Sequence, residues 1–196
     1  MILRCATTNA GKLREFRTSH PEVDIQPLDG LKAIPPCEED GATFEANAIK
    51  KALYYSQFTA DPIFADDSGL EVDALGGAPG VYSARYSPEG DDLENNRLLI
   101  SNLRGVENRT ARFVCVIALA RQGQLIGTYK GQVEGRIVDE PRGPNGFGYD
   151  PHFFHEPFGC TFGEATAAHK MAISHRAQAL DAMVAAATAA DANLLS

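Results

Sequence analysis

The stretch TARFVCVIALARQGQLIGTYKGQVEGRIV, residues 110–138, decides the fold, because it predicts two long strands that lie side by side. Residues 110–120 and 124–138 are rich in apolar and β-branched side chains, and the polar turn between them contains a glycine. A connection this short joins antiparallel neighbours, whereas parallel strands need a long crossover. The stretch therefore predicts an antiparallel pair of strands.

Strands and helices alternate through the rest of the chain. Strands are predicted at 2–7, 23–28 and 62–72, the last broken by Ser68 and Gly69. Helices are predicted at 12–19, from Thr43 as the N-cap to about Phe58, at 92–103, and from about Ile173 onward. The pattern predicts an α/β fold, a mixed β-sheet flanked by helices, in one domain spanning residues 1–196.

The composition and charge of the chain limit the classes of molecule that it is expected to bind. Lys and Arg number 18 against 26 Asp and Glu, so the formal net charge is -8, which opposes binding to nucleic acid or to anionic lipid. The four cysteines form no CxxC pair, and the apolar run at 113–120 is far too short to span a membrane. These features predict a cytoplasmic protein with reduced thiols, no nucleic-acid partner and no membrane partner.

The segment TTNAGK, residues 7–12, predicts an anion site at the start of the first helix. A strand delivers Thr7, Thr8 and Asn9 to a point where free backbone N–H groups and the helix dipole favour negative charge, and Lys12 adds a full positive charge. The segment lacks the first glycine and the final Ser or Thr of a Walker A loop. The alternative is ordinary N-capping by Thr8 or Asn9 beside a solvated lysine.

Two acidic pairs, Glu38-Glu39 and Asp66-Asp67, are candidate metal ligands. Mg²⁺ is usually held by one or two carboxylates together with waters and substrate phosphates, so two acidic positions that converge on a cleft would suffice. Adjacent residues of a strand face opposite sides, so if Asp67 faces the cleft, Asp66 must serve another purpose. For Glu38-Glu39 the alternative is a solvated loop.

The segment GGAPGVYSARY, residues 76–86, turns the backbone sharply and carries Arg85. Its guanidinium can bind a phosphate or carboxylate with two N–H groups, or brace the turn through an Arg–Asp pair.

Two later loops complete the set of candidates. GPNGFGYDP, residues 143–151, places Phe147 and Tyr149 among glycines, which predicts exposed rings able to stack on a base, unless both rings belong to the core. In KMAISHR, residues 170–176, His175 and Arg176 begin a helix, where the dipole disfavours cations unless an anion compensates. A charged surface run is the alternative.

Taken in order, these motifs strongly resemble the inosine triphosphate pyrophosphatase family over residues 3 to about 181. The resemblance is carried by TTNAGK, EEDGATF, ADDSGLEVDALGGAPGVYSARY, GFGYDP and ISHRAQAL. It implies an elongated mixed sheet with two lobes and a central cleft, and a homodimer. It further implies Mg²⁺-dependent hydrolysis of ITP, dITP and XTP to the monophosphate and pyrophosphate, which cleanses the nucleotide pool.

The resemblance also implies residue roles. Asp67 would be the general base and a metal contact, with Glu39 supporting the metal and Glu38 as a further candidate. Substrate contacts would come from the following residues: Thr7, Thr8, Asn9, Ala10, Gly11 and Lys12 for the triphosphate, Ser68, Phe147, Gly148, Tyr149 and Asp150 for the base and sugar, and Lys170, His175 and Arg176 for base and phosphate.

The chain departs from the family pattern in two places. Thr8 stands where a glycine is usual, and Ala46 stands where a glutamate is common. Three other interpretations stay open at this point. They are a Maf-type pyrophosphatase with another base preference, a nucleotide-binding sensor without turnover, and a sugar-phosphate phosphatase that releases orthophosphate.

Overall fold

The computed structural model describes residues 2–189 and contains one seven-stranded sheet in the order β2-β1-β3-β4-β5-β6-β7. The strands are β1 (Ile2–Cys5), β2 (Asp24–Pro27), β3 (Ile63–Val72), β4 (Thr110–Arg121), β5 (Gln124–Ile137), β6 (Phe153–His155) and β7 (Cys160–Thr161). The helices are α1 (Ala10–Ser19), α2 (Phe44–Tyr55), α3 (Asp92–Asn102), α4 (Ala167–Met171) and α5 (His175–Ala189).

The sheet is mixed, as predicted. β1 runs parallel to β2 and β3, whereas β3, β4, β5, β6 and β7 pair in antiparallel fashion. Gln122 and Gly123 form the turn between β4 and β5, both with positive φ. Within residues 2–189, no helix has the length and hydropathy needed to cross a bilayer.

The predicted break in β3 at Ser68 and Gly69 is wrong, because the strand pairs with β4 without interruption from Ile63 to Val72. Gly69 serves close packing instead. A methyl group on Gly69 would lie 2.3 Å from Oγ of Ser83, in the 3₁₀ turn at 80–85, and that oxygen accepts a hydrogen bond of 2.9 Å from the Leu70 N–H.

Helices cover both faces of the central strands. On one face α2 packs its apolar side, including Phe44 and Ala48, against Ala65 of β3. On the other face α1 and α5 enclose Phe64, with Phe16 and Leu180 in the same cluster. Side chains alternate along a strand, so Asp66 points toward α1 and α5 while Asp67 points toward α2.

A second apolar cluster fills the far end of the sheet. It gathers Leu70 of β3, Phe113 of β4, Phe153 of β6 and Phe162, with Leu99 from α3 packed against them. The cleft described below opens beside this cluster, at the carboxyl half of β3.

Helix α5 lies directly on β5 because Gly131 leaves room for it. A methyl group on Gly131 would lie 2.0 Å from the carbonyl oxygen of His175 and 2.6 Å from the Ala179 nitrogen. Backbone atoms cannot move aside as a flexible side chain can. Gly131 therefore fixes the height of the first turn of α5 above the sheet.

Replacing Gly131 with alanine should destabilise the fold by about 3 kcal/mol, because overpacking against backbone forces α5 off the sheet. Gly127 on the same strand is the matched control, since a methyl group there would meet only the end of the Tyr129 side chain, Oη at 2.7 Å and Cζ at 3.1 Å, which can rotate away as backbone cannot. Urea denaturation measures both free energies of unfolding. Equal losses for Gly131→Ala and Gly127→Ala would contradict this account of the packing.

Candidate active site

A cleft runs across the carboxyl half of β3, between α2 and the first turns of α1 and α5. Most sequence-predicted site residues lie on it: Asn9, Lys12, Glu39, Asp67, Ser68, Phe147, Gly148, Tyr149, Asp150, Lys170, His175 and Arg176. Thr7, Thr8 and Ala10 instead line a neighbouring depression, together with Leu28 and Leu31. Glu38 lines neither cavity.

One end of the cleft is formed by the start of α1. Asn9 is the N-cap, and its side-chain oxygen accepts a 3.1 Å hydrogen bond from the Lys12 N–H. Thr7 Oγ1 accepts a 3.2 Å hydrogen bond from the Asn9 N–H. The capping interpretation therefore holds for Asn9, but Lys12 is not simply solvated, since its ammonium lies 2.8 Å from a carboxylate oxygen of Asp66.

Asp66 is a buried anion surrounded by cations. Its Oδ2 accepts hydrogen bonds from Lys12 Nζ at 2.8 Å and from Ser68 Oγ at 3.1 Å. Burial alone would raise its pKa, but the charges of Lys12, Arg176 and Lys51 outweigh burial and lower the pKa of Asp66 to about 2. Asp66 is thus a fixed negative charge at any physiological pH.

The neighbouring carboxylate, Asp67, has the opposite tendency. Its oxygens accept hydrogen bonds from Asn47 Nδ2 at 3.0 Å and from the Ser68 N–H at 3.1 Å, and Lys51 Nζ lies 3.8 Å away. Burial raises the pKa of Asp67, and Lys51 and Asn47 offset that effect only in part. A carboxylate that is costly to keep ionised, and that faces a cleft, is suited to accept a proton.

The two residues of the first acidic pair point in different directions. Glu39 reaches the cleft, where its carboxylate lies 2.7 Å from Lys51 Nζ. The Glu38 side chain is 81% exposed and lies 3.9 Å from Lys50 at the surface. Glu38 therefore fits the solvated-loop interpretation, while Glu39 and Asp67 converge on one ammonium group.

The geometry suits a hard cation that is completed by substrate. Glu39 and Asp67 place carboxylate oxygens around the same positive group, Lys51, so two oxygen donors already face one point of high positive charge. Oxygen donors are the ligands that Mg²⁺ prefers. Among residues 2–189, no three His, Cys, Asp or Glu side chains form a ready-made metal cage.

The loop around Phe147 lines the cleft next to the start of α1, where a methyl group on Gly11 would lie 2.9 Å from the Phe147 ring. The Phe147 ring is half-buried, with its centre 5.1 Å from Lys170 Nζ and 5.5 Å from Arg176 Cζ. Exposure of Tyr149 was predicted wrongly, since Tyr149 is 5% exposed and its hydroxyl donates a 2.7 Å hydrogen bond to the Ser83 carbonyl. That hydrogen bond allows the polar end of Tyr149 to be buried.

Lys170 and Arg176 are buried cations, which excludes a charged surface run. Lys170 Nζ lies 2.7 Å from Glu15 Oε1 and 2.6 Å from Asp150 Oδ2. Arg176 pairs with the other oxygen of Glu15 and donates a 3.0 Å hydrogen bond to Ser68 Oγ. Glu15 thus compensates Arg176, the cation in the first turn of α5, as the helix dipole requires.

His175 is neutral and presents an unused polar atom. Burial, with the charges of Arg176 and Lys170, lowers the pKa of His175 well below its usual value. Its ring stacks on Phe113 at 4.9 Å between centres. Among the buried side-chain atoms of residues 2–186, His175 Nδ1 and Arg176 Nε are two that find no hydrogen-bond partner. Buried donors and acceptors are costly when unpaired, so these atoms suit a ligand.

Arg85 does not brace the turn through an Arg–Asp pair among the described residues. Its guanidinium lines the cleft and donates a 3.1 Å hydrogen bond to the backbone carbonyl of Glu39. It thereby ties the 80–85 turn to the loop that carries Glu39.

Sequence analysis missed several residues of the site, among them Glu15, Asn47 and Lys51. Asn47 and Lys51 stand four apart in α2, each directly before a fully buried alanine, Ala48 or Ala52. A polar pair at helical spacing along the border of an apolar face was the available signal. Glu15 directly precedes the buried Phe16, and nothing local distinguishes it from a solvated glutamate.

Comparison with known proteins gives consistent matches. The family model described as the Ham1 family matches residues 3–186. A dITP/XTP pyrophosphatase of Syntrophobacter fumaroxidans is 50% identical over 182 residues, covering 91% of this chain and 78% of that protein. These matches confirm the resemblance drawn from the motifs.

Solved structures agree with the fold. The Staphylococcus aureus Ham1 protein superposes with a TM-score of 0.86 at 36% identity, covering 97% of this chain and 100% of that chain. A HAM1 protein from Coxiella burnetii gives a TM-score of 0.86 at 38% identity, covering 96% and 99%.

The pKa shifts of Asp66 and Asp67 have opposite signs, so their charges should affect the pH dependence of the free energy of unfolding in opposite ways. The pKa of Asp66 is lower in the folded than in the unfolded chain, so its charge stabilises the fold above about pH 4 and that contribution is lost as pH falls through about 2. Asp66→Asn should cost about 3 kcal/mol at pH 7, because it leaves buried cations unpaired.

The deficit of Asp66→Asn should shrink as pH is lowered from 7 toward the acid limit. Asp67→Asn is the matched control and should lose less at pH 7, since burial disfavours its ionised form. Free energies of unfolding from urea titrations across this pH range test both statements. A larger loss at Asp67 than at Asp66 would show the assignment of the two environments to be wrong.

Proposed function

This chain belongs to the Ham1 family, and from that premise we propose that it hydrolyses deaminated purine nucleoside triphosphates, ITP, dITP and XTP, to the monophosphate and pyrophosphate. The observation that carries the proposal is the position of Asp67. Its carboxylate, with a raised pKa, faces a cleft that is also lined by the cations Lys12, Lys51 and Arg176 and by the ring of Phe147. A purine triphosphate carries the matching groups, an anionic polyphosphate and an aromatic base.

Asp67 is the proposed general base. It accepts a proton from a water molecule that attacks the α-phosphorus, and proton transfer of this kind contributes about 10²–10⁴-fold to rate. A raised pKa makes the carboxylate a stronger base than an exposed aspartate. Asn47 and the Ser68 N–H hold the carboxylate in place, so that its orientation does not depend on substrate.

The cations act on the phosphates. Lys12 and the free N–H groups at the start of α1 face the triphosphate, and Lys51 lies beside Asp67, where charge develops on the departing pyrophosphate. Asp66 holds Lys12 in position rather than contacting substrate.

Mg²⁺ fits this site through Glu39 and Asp67, which would hold it together with phosphate oxygens. When bound, Mg²⁺ supplies Lewis-acid stabilisation of negative charge on the phosphates. Glu38 is not proposed as a ligand, because its side chain faces solvent.

We assign base selectivity to the part of the cleft formed by Phe147, His175 and Arg176. Arg176 and backbone N–H groups near His175 are proposed to donate hydrogen bonds to the 6-oxo group of hypoxanthine or xanthine. The unpaired Arg176 Nε and His175 Nδ1 support this proposal. The amino group of adenine would leave such donors unpaired, and sites built in this way reject the wrong partner strongly. Guanine shares the 6-oxo group, so discrimination against GTP must act at position 2.

The remaining proposals concern the whole protein. We propose that residues 1–196 act as one two-lobed domain, as a homodimer, in the cytoplasm. Four free cysteines and a net charge of -8 support a reducing compartment without nucleic-acid partners.

A panel of nucleotides with identification of both products tests the reaction. The purified protein with Mg²⁺ should convert ITP, dITP and XTP to monophosphate plus pyrophosphate, and GTP and ATP at least about 100-fold more slowly. Adenine leaves the 6-oxo donors unpaired, whereas guanine is rejected at position 2. A preference for other nucleotides would favour the Maf-type alternative. Release of orthophosphate would favour a phosphatase, and tight ITP binding without turnover would favour a sensor.

Asp67→Asn is the control for this panel. It should reduce kcat by at least about 10²-fold through loss of the general base. Activity that survives this substitution undiminished would assign the turnover to a contaminating enzyme or to another base.

The two adjacent glutamates give a matched test of the metal site. Glu39→Gln should raise the Mg²⁺ concentration needed for half-maximal activity about tenfold, since a charged ligand at the cleft is lost. Glu38→Gln should leave the requirement unchanged, because Glu38 lies at the surface. Titration of activity with Mg²⁺ measures both, and equal effects of the two variants would contradict the placement of the metal at Glu39.

A further inference from the structure

Helix α3 holds both backbone polar groups of a single residue in the loop around Phe147. A carboxylate oxygen of Asp92 accepts a 2.7 Å hydrogen bond from the Gly148 N–H. Nδ2 of Asn96 donates a 2.9 Å hydrogen bond to the Gly148 carbonyl. Asp92 and Asn96 stand four residues apart, so both side chains project from one face of α3. We name this pair of hydrogen bonds the Gly148 clamp.

Gly148 needs such support because of its conformation. Its φ is +61°, in the left-handed region, and it belongs to no helix or strand. Its N–H and carbonyl therefore have no partner from regular secondary structure, and the side chains of α3 supply both. Gly148 is also the residue between Phe147 and Tyr149, so its position governs where the Phe147 ring can lie.

The neighbours of Gly148 are anchored on other elements. The Tyr149 hydroxyl is bonded to the Ser83 carbonyl, and the Phe147 N–H donates a 2.9 Å hydrogen bond to Asp150 Oδ2. The Phe147 side chain makes no hydrogen bond of its own. It packs so closely on the start of α1 that a methyl group on Gly11 would lie 2.9 Å from the ring. Its placement over Lys170 and Arg176 thus depends on the loop backbone.

Helix α3 is itself fixed to the wall of the cleft. Asn95 accepts a 2.7 Å hydrogen bond from the Ser87 N–H and donates one of 3.3 Å to the Ala84 carbonyl. Asp91 caps the helix by accepting a 2.9 Å hydrogen bond from the Glu94 N–H. The clamp therefore attaches the loop around Phe147 to a helix that is itself held in place by other hydrogen bonds.

We propose that Asp92 and Asn96 are positioning residues for base selectivity, which act through Gly148 to fix the Phe147 ring against Lys170 and Arg176. The inference rests on the proposed function, since selectivity has meaning only if the cleft turns over purine nucleotides. Neither residue touches the reacting phosphorus in this account. Asp92 and Asn96 determine how well the base is held. Their loss should therefore change KM and the ratio of kcat/KM between substrates.

Two substitutions break the clamp in different ways. Asn96→Asp keeps the shape but replaces the donor with a carboxylate oxygen facing the Gly148 carbonyl, and Asp92→Ala removes the acceptor. Each should raise KM for ITP about five- to tenfold, the fold-change expected for one lost hydrogen bond of this kind, with kcat within about twofold. The preference for ITP over ATP, which depends on the 6-oxo contact of Arg176, should fall as KM for ITP rises.

Two controls separate positioning from stability. Asp92→Asn retains an amide oxygen that can accept from the Gly148 N–H, and should restore KM to within about twofold of the unaltered protein. Asn102→Ala removes a 2.8 Å hydrogen bond to the Tyr86 hydroxyl from the same helix, away from the loop, and should leave KM and selectivity unchanged.

Amide hydrogen exchange in the nucleotide-free protein gives a readout that does not depend on turnover. The Gly148 N–H should exchange at least about tenfold faster in Asp92→Ala than in Asn102→Ala. Unchanged KM and selectivity in both Asn96→Asp and Asp92→Ala would overturn the inference. Equal rates of Gly148 N–H exchange in Asp92→Ala and Asn102→Ala would overturn it as well. Failure of the unaltered protein to hydrolyse any purine triphosphate would overturn the proposed function, and with it the selectivity role, even if the exchange data showed the clamp.

Discussion

The buried carboxylate of Asp66 is the interaction on which the cleft depends, because it joins the first turns of α1 and α5. It binds the ammonium of Lys12 directly and reaches Arg176 through the hydroxyl of Ser68. Arg176 in turn shares Glu15 with Lys170. Removing one partner from such a buried network costs about 3–5 kcal/mol, because the others remain charged without compensation. The first turns of α1 and α5 are therefore held in register by charge as well as by apolar packing.

Because side chains alternate along β3, the adjacent residues Asp66 and Asp67 lie in two different chemical environments. Asp66 faces α1 and α5, meets three cations and stays ionised, whereas Asp67 faces α2, where burial outweighs its partners. Enzymes often separate the roles of paired carboxylates in this way, through surroundings rather than residue type. The uninterrupted pairing of β3 with β4 is what guarantees the alternation at this position.

Local patterns predicted the elements and part of the site, but not contacts made across the fold. The strands of the 110–138 stretch, the Thr43 cap and the helix that begins after Asn9 depend on neighbours in sequence, and they are present. Gly69 was misinterpreted because the reason for it is Ser83, fourteen positions away. Glu15 and Lys51 were missed, since a helical glutamate or lysine is usually solvated and only packing against distant elements shows otherwise.

The ionic balance of the cleft decides the form in which a nucleotide can enter it. The charged side chains gathered there are Lys12, Lys51, Arg85, Lys170 and Arg176 against Glu15, Glu39, Asp66, Asp67, Asp92 and Asp150. Their charges nearly cancel, so a bare polyphosphate approaching from solution meets little net attraction. A polyphosphate that already carries a divalent cation is far less repelled by the surplus carboxylates. The balance of charges in the cleft therefore favours a nucleotide that already carries a divalent cation over the free anion.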